Sequence, residues 1–180
     1  MDLDRLGTGQ PFGSIVQFAY FVEDAQKAMR DYIERLGVGP WFVAGPFTPT
    51  AAEYRGKKTD ITVTLCFAYS GHMQIELIQQ HSKGESVFTE SLRKHGYGFH
   101  HWGVASKDYQ ADVARYQKQG FEIAYYDEAP MGMRVAYMDT TAFLPGMVEL
   151  IEANPALDQF FTDIYKKSQN WDGRDPIRQL

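Results

Sequence analysis

The sequence states one structural plan twice, and this internal repeat limits the possible folds more than any other feature. A strand pattern at residues 17–22 matches one at 101–106, and an aspartate follows each at the same offset. A helical pattern ending near a glycine comes next in both halves, and each half closes on a similar strand, at 74–78 and 147–151. One strand–helix–strands unit cannot bury both its helix and its sheet alone, so the two copies are expected to pack side by side.

The repeat predicts a pseudo-symmetric α+β domain over residues 1–153, with modules at 14–80 and 98–153 whose curved sheets form a trough. Residues 154–180 have no counterpart in the first half. Asn154 followed by Pro155 is typical of a helix start, and an apolar stripe at helical spacing follows. We therefore expect a C-terminal helical tail that covers the chain's own domain or a dimer partner.

Composition narrows the classes of function. A net charge of -5 argues against nucleic acid as the main partner, because phosphate binding requires a basic surface. The one cysteine, Cys66, cannot form a disulfide within the chain, which fits a reducing compartment. No apolar run approaches the length of a membrane span. We therefore expect a soluble cytoplasmic protein with no nucleic-acid or membrane partner.

Four polar residues take matching places on the first and last strands of the two halves. They are Gln17 and Glu76 in the first half, and His101 and Glu149 in the second. An imidazole, two carboxylates and an amide oxygen form a ligand set for a divalent metal, and they leave positions for water or substrate. Zinc, nickel, cobalt, manganese and ferrous iron all fit this set, so the sequence predicts one divalent ion without identifying it.

The adjacent histidines His100 and His101 lie in a strand pattern. Successive strand side chains point to opposite faces, so only one of the two can face the site. His101 shares its face with Gly103, which is small and leaves room. We therefore assign His101 to the site and expect His100 to face the other way, with Trp102 and Val104.

These residues resemble the vicinal oxygen chelate superfamily, which includes glyoxalase I, methylmalonyl-CoA epimerase, extradiol dioxygenases and bleomycin-resistance proteins. The resemblance spans about residues 14–153 and is carried by the segments 17–22 with Asp24, 36–37, 75–77, 98–104 with Asp108, and 148–150. It implies paired βαβββ modules that form a curved mixed sheet and bind a metal through the first and last strand of each module. The implied ligands are Gln17, Glu76, His101 and Glu149.

The order Gln, Glu, His, Glu is the set seen in glyoxalase I of the human type. The Gly-x-Gly-x-His-His run at 96–101 looks most like methylmalonyl-CoA epimerase, whose first ligand is usually a histidine where this chain has Gln17. The resemblance implies a metal-dependent isomerase, epimerase or lyase. Such an enzyme removes a proton next to a carbonyl, and the metal chelates two adjacent substrate oxygens and stabilises the enolate.

Glu149 is the first candidate for the base, and Glu76 is the candidate on the opposite face, because an epimerase needs a base on each side of the carbon. Glu53 is a weaker candidate. Two alternatives remain open. One is a non-catalytic small-molecule binding or resistance protein on the same fold. The other is an iron-dependent dioxygenase, which uses two histidines and one glutamate and is disfavoured by Gln17. We expect the protein to form a homodimer.

Overall fold

A computed structural model describes residues 4–129 and 132–180 of the protein. These residues form four α-helices and eleven β-strands. The helices are α1 (Ala25–Leu36), α2 (Val87–His95), α3 (Tyr109–Lys118) and α4 (Pro155–Ser168). The strands are β1 (Ile15–Phe21), β2 (Trp41–Phe47), β3 (Glu53–Tyr54), β4 (Lys57–Lys58), β5 (Val63–Ser70), β6 (Met73–Gln80), β7 (Gly98–Ser106), β8 (Ile123–Ala129), β9 (Met133–Met138), β10 (Met147–Glu152) and β11 (Ile177–Gln179).

The strands join one mixed sheet in the order β11-β2-β5-β6-β1-β7-β10-β9-β8-β3-β4. From the centre outward, the first module runs β1, β6, β5, β2, and the second runs β7, β10, β9, β8 in the same way. In each module the first and last strands are parallel neighbours, and the antiparallel β1–β7 pair joins the modules. The predicted α+β fold of two paired βαβββ modules with a mixed sheet is confirmed.

Two short additions extend the sheet at its edges. The β3–β4 hairpin belongs to the first half of the chain but pairs with β8 of the second module. At the other edge, β11 from the tail pairs in parallel with β2. Neither β4 nor β11 has the length or the alternating apolar pattern that identifies a strand in a sequence, so the sequence predicts neither.

The repeated aspartates begin the equivalent helices of the two modules. Asp24 accepts a hydrogen bond from the backbone N–H of Lys27 at the start of α1, and Asp108 accepts one from Ala111 at the start of α3. Asn154 caps α4 in the same way. These caps satisfy backbone donors that a helix leaves free at its N-terminus. The repeat in the sequence therefore includes the helix starts as well as the strands.

The helices divide between the two faces of the sheet. α1 packs against β2, β5 and β6 on the outer face, and α3 packs against β9 and β10 on the same side. α2 and α4 lie against the inner face, where Phe88 and Leu157 join the main apolar cluster. The predicted apolar stripe of the tail covers the chain's own sheet, since the Phe161 and Phe67 ring centroids are 5.6 Å apart. Within the described ranges, no helix has the length and apolar character to cross a membrane.

Candidate metal centre

The four residues that the repeat singles out lie on neighbouring strands at the centre of the sheet. Those strands, β6, β1, β7 and β10, are the first and last strands of the two modules. All four side chains are buried, with exposed fractions of 2% for Gln17, 5% for Glu76, 0% for His101 and 7% for Glu149. The sheet therefore gathers one pair of candidate ligands from each module.

Small residues make room for these side chains. Gly103 lies opposite Gln17 across the β1–β7 pair and opposite Glu149 across the β7–β10 pair. A Cβ atom on Gly103 would lie 2.6 Å from Oε1 of Gln17 and 3.1 Å from Cδ1 of Ile151, so no larger residue fits without displacing a neighbour. Ala19 holds the equivalent place in the first module, opposite Glu76.

Three of the four side chains form a compact group. Nε2 of His101 lies 3.2 Å from Oε2 of Glu149 and 3.6 Å from Oε2 of Glu76. One ligand atom from each residue lies within 4.8 Å of the other two. Burial raises the pKa of Glu76 well above its ordinary value, and the charge of Glu149 raises it further. A divalent cation between these groups would offset both the burial and the repulsion of the carboxylates.

Gln17 offers a further buried oxygen. Its Nε2 donates a 2.7 Å hydrogen bond to Oε1 of Gln74, which fixes the amide orientation. Oε1 of Gln17 and Nε2 of His101 are both buried, and neither has a hydrogen-bond partner among the described residues. Buried polar atoms without partners are rare and destabilising, because they lose their hydrogen bonds to water and gain none in the protein. The residues present therefore fit a divalent ion bound through Gln17, Glu76, His101 and Glu149.

The expectation that His100 faces away from the site is wrong. Along the β1–β7 pair, Ala19 lies opposite His101, but the next residue, Tyr20, lies opposite Phe99. His100 is thus the extra residue of a β-bulge, where two residues on one strand face one on its partner. A bulge breaks the alternation of side chains, so the neighbouring histidines turn to the same face of the sheet.

The contacts of His100 confirm its position on the inner face. Its ring centroid lies 5.0 Å from that of Phe88 and 5.8 Å from that of Tyr137, both of which belong to the inner apolar cluster. Trp102, with which His100 was expected to share a face, packs instead with the outer cluster around Val104. His100 therefore lies on the same face of the sheet as the candidate metal centre, next to His101.

The two imidazoles are linked. Nδ1 of His100 lies 2.9 Å from Nδ1 of His101, and Nε2 of His100 lies 3.4 Å from the carbonyl oxygen of Val87. Burial, with a smaller effect from His101, lowers the pKa of His100 to about 3, so His100 is neutral and has one N–H. Both bonds are satisfied when His100 donates from Nε2 to Val87 and accepts at Nδ1 from His101. His101 then presents an unprotonated Nε2 to the carboxylates.

Tyr137 is a further residue of the site that the sequence does not single out. It lies opposite Glu149 across the β9–β10 pair, and its ring centroid is 4.5 Å from that of His101. Burial raises the pKa of Tyr137 well above its ordinary value, and the charges of Glu149 and Glu76 raise it further. The hydroxyl of Tyr137 also hydrogen-bonds with Glu149. One tyrosine among many in strand patterns carries no signal by itself, and only the strand register locates it.

The site opens onto the trough on the inner face of the sheet. The trough encloses a cavity of about 670 Å³, and Gln17, Glu76 and Glu149 form part of its wall. His101 lies behind these side chains and is fully buried. Glu53, the weaker candidate for a base, is exposed on β3 and is not one of the residues lining the cavity.

Comparisons with known proteins agree with this fold. A hypothetical protein from Bacillus halodurans is similar with a TM-score of 0.56 and 18% identity, over 78% of this chain and 94% of that chain. A Streptomyces coelicolor methylmalonyl-CoA epimerase variant in complex with 2-nitronate-propionyl-CoA has a TM-score of 0.55 and 17% identity, over 80% and 96% of the two chains. Methylmalonyl-CoA epimerase from Mycobacterium tuberculosis has a TM-score of 0.53 and 21% identity, over 81% and 94%.

No curated protein was found to match the sequence. The sequence profile of one protein family does match, over residues 16–137, a span that contains both modules up to β9. The match covers more than half of the chain and agrees with the two-module fold and the resemblance in the sequence. The chain belongs to the Glyoxalase/Bleomycin resistance protein/Dioxygenase superfamily.

Proposed function

We propose that the protein is a metal-dependent isomerase, epimerase or lyase that removes a proton from carbon next to a carbonyl of a small-molecule substrate with adjacent oxygens. The observation that carries this proposal is the buried group of Glu76, His101 and Glu149, joined by Gln17, at the wall of a large cavity. A pure binding trough has no need for two buried carboxylates, because burying charge is costly unless it is used or neutralised.

Gln17, Glu76, His101 and Glu149 would hold the ion, and the two carboxylates would balance its charge. A divalent ion bound there would act as a Lewis acid toward two adjacent substrate oxygens and would stabilise negative charge on them. The resemblance to other members does not identify the ion, and zinc, nickel, cobalt, manganese and ferrous iron all suit these donors.

The chain's own residues would move the proton. Glu149 lies at the cavity wall and takes the proton from carbon, and the neutral Tyr137 hydroxyl beside it holds the carboxylate in position. Glu76 stands on β6 of the other module, separated from β10 by β1 and β7, and offers a second base on the opposite side of the carbon. The apolar walls of the cavity exclude water, which keeps the carboxylates basic.

The experiment has two readouts. Elemental analysis of the purified protein measures the metal bound per chain, which we expect to be one. Proton–deuterium exchange at carbon is then followed by NMR in D2O, with hydroxy-ketones, keto acids and acyl thioesters. We expect metal-dependent exchange in the wild type and a loss of at least about 100-fold in Glu149→Gln, since general bases typically contribute 10²–10⁴-fold. Glu53→Gln is the matched control and should exchange normally.

Each contrary result has a defined meaning. Unchanged exchange in Glu149→Gln, with metal retained, would transfer the role of base to Glu76. No exchange with any of these compounds, in protein that holds its metal, would favour the second candidate, a non-catalytic binding or resistance protein. The observation in favour of that candidate is the size and apolar character of the cavity, which would suit ligand capture without chemistry.

A further inference from the structure

The trough beyond the metal centre is lined mainly by apolar and aromatic side chains. They come from both modules and from the helices that cover the inner face, and include Phe47, Leu65, Phe67, Phe88, Val135 and Phe161. The cavity of about 670 Å³ is in the range that encloses a drug-sized molecule. Its walls therefore suit a substrate with a substantial apolar body.

The charged groups that line the cavity are all acidic. They are Glu76, Glu149, Asp127 and Glu128, and no lysine or arginine is part of the lining in the described ranges of the chain. Arg134, on the cavity strand β9, bonds to Glu152 and stacks over the ring of Tyr109, so its charge is already balanced. Apart from an ion at the metal centre, the lining offers no cation to a polyanionic substrate, and the carboxylates of Asp127 and Glu128 would repel it.

Asp127 provides a second polar point in this cavity. It is only 7% exposed, and its Oδ1 has no hydrogen-bond partner among the described residues. Burial raises the pKa of Asp127, while backbone N–H groups of Glu128 and Ala51 donate to its carboxylate and lower it. This oxygen is thus a buried acceptor on the cavity wall that none of the described residues uses.

The sheet register places Asp127 far from the metal centre. Glu149 on β10 lies opposite Tyr137 on β9, which lies opposite Tyr125 on β8, and Asp127 is two residues further along β8. Two strand spacings of about 4.8 Å and two residues at about 3.3 Å give roughly 12 Å between the backbone positions of Glu149 and Asp127. A molecule of about two aromatic rings could bridge them.

We propose that the trough takes an uncharged, mainly aromatic substrate that places two adjacent oxygens at the metal centre and a hydroxyl donor at Asp127. This inference rests on the proposed function for the position of the adjacent oxygens. The proposed substrate differs from the CoA ligand named for the Streptomyces coelicolor epimerase complex, because that ligand is anionic and the lining of this cavity has no lysine or arginine to bind its phosphates.

The test compares three probes on metal-loaded protein at pH 8, using isothermal titration calorimetry. Benzoin is an uncharged aromatic hydroxy-ketone, 4,4′-dihydroxybenzoin adds a phenol donor at each end, and methylmalonyl-CoA is the anionic reference. We expect benzoin to bind at least about tenfold more tightly than methylmalonyl-CoA, because no lysine or arginine of the lining pairs with the phosphates of the anion. We expect the dihydroxy probe to gain about a further tenfold from a charge-assisted hydrogen bond.

Two variants test the role of Asp127. Asp127→Asn keeps the side-chain shape and an oxygen for the backbone donors, and it should remove most of the preference for the dihydroxy probe while benzoin binds as before. Glu122→Gln, at an exposed position outside the cavity lining, is the matched control and should keep the preference. An unchanged preference in Asp127→Asn would overturn the role of Asp127.

The outcomes separate this inference from the proposed function, because binding needs no turnover. Methylmalonyl-CoA binding as tightly as benzoin, or benzoin failing to bind, would overturn the substrate class. Exchange of the carbon-bound proton of methylmalonyl-CoA would still uphold the function in that case. Tight benzoin binding without deuterium exchange would uphold the substrate class and count against the function.

Discussion

At the scale of single residues, His100 decides how His101 presents its ring. The bulge turns His100 inward. Because Nε2 of His100 donates to the carbonyl of Val87, its Nδ1 can only accept a hydrogen bond from His101. Residues that orient a metal-binding histidine from behind contribute to affinity without touching the ion. His100 is therefore a positioning residue in this arrangement, and its removal should have an effect distinct from the loss of a ligand.

We expect His100→Phe to weaken metal affinity by about 10- to 100-fold, the usual cost of losing such a partner, while one site per chain still fills at saturating metal. His101→Ala should abolish that site altogether. Titration with zinc against a fluorescent chelator measures both. His95→Phe, at an exposed position at the end of α2, is the control and should bind as the wild type does. Equal affinity in His100→Phe and wild type would show that the imidazole link has no role.

Gly103 permits the position of Gln17, and this can be tested without changing a ligand. In Gly103→Ala the new Cβ would come within 2.6 Å of Oε1 of Gln17 and 2.9 Å of its Cβ. Overpacking of this kind typically costs about 1–3 kcal/mol, and here it would also push the amide oxygen out of place. We therefore expect lower stability in urea and weaker metal binding.

The control is the same substitution in a Gln17→Gly background. There both contacts with the side chain of residue 17 are gone, so Gly103→Ala should cost little further metal affinity, because both changes act through one side chain. Additive losses in the double variant would mean that Gly103 acts on the site by another route, such as the β7 backbone.

The sequence predicts the four residues of the site because they stand at equivalent places in a repeat. It does not predict His100, Tyr137 or Asp127 as inner residues. The position of His100 depends on a bulge, which arises from the pairing of β1 with β7 and leaves no local signature. The places of Tyr137 and Asp127 beside the site and the cavity depend on which strands pair with β9 and β8, and a sequence does not show this pairing.

At the scale of elements, an ion-pair network ties the β3–β4 hairpin to α2 and to the end of β9. Nη2 of Arg55 lies 2.8 Å from Oε1 of Glu90 and 2.7 Å from Oδ2 of Asp139. The hydroxyl of Tyr54 donates to Glu90 at 2.6 Å. The hairpin crosses from the first module to the edge of the second, so this network holds the two halves together at the side of the trough.

The network should make stability depend on pH through Glu90. The hydrogen bond from Arg55, followed by those from Lys94 and Tyr54, lowers the pKa of Glu90 from 4.5 to about 2. The folded state thus binds this proton more weakly than the unfolded state. The stabilisation is present above pH 4.5 and is lost as the pH falls toward 2, with a size on the order of 3 kcal/mol.

We expect Glu90→Gln to lower the free energy of unfolding in urea at pH 7, and the difference from wild type to shrink as the pH falls from 5 to 3. Glu85→Gln, which breaks an exposed pair with Arg93, is the control and should change stability by less than about 1 kcal/mol. A difference that stays constant over this pH range would show that Glu90 acts through packing and not through its charge.

The elements themselves were largely predictable, for a reason visible at their ends. α1 is capped by Asp24 at its start and by Gly37 at its end, and the φ of 65° places Gly37 in the left-handed region that favours glycine. Such caps and the alternating strands are local signals. β4 and β11 have two and three residues and exist only because a neighbouring edge strand is free to pair with them, which a sequence does not show.

At the scale of the whole molecule, all four candidate ligands come from one chain. Gln17 and Glu76 come from the first module and His101 and Glu149 from the second, across the β1–β7 pair. The homodimer and the cytoplasmic location stay predictions. We expect metal stoichiometry to remain one per chain when the protein is diluted into the range where analytical ultracentrifugation shows monomers. Loss of metal on dissociation would mean that a partner chain is needed to hold the site.

The metal centre should also change the stability of the fold, because it joins two modules through two buried carboxylates. Free metal at 100 times its dissociation constant adds about 2.7 kcal/mol by mass action. For a chain of this length, each kcal/mol raises Tm by about 2–4 °C, so EDTA should lower Tm by roughly 5–11 °C. Glu76 carries a raised pKa when no ion balances it, which marks a destabilising ionised state in the metal-free protein.

Glu76→Gln should therefore reverse the order of stabilities. Without metal, the variant should melt above the wild type, because one of two buried carboxylates no longer has to ionise beside Glu149. With metal, it should melt below the wild type, because the site has lost a charged ligand. Differential scanning calorimetry at pH 7.5, with EDTA or with excess zinc, measures all four values. If the metal-free variant melts below the metal-free wild type, Glu76 would instead be a structural partner of His101 that stabilises the fold without a metal.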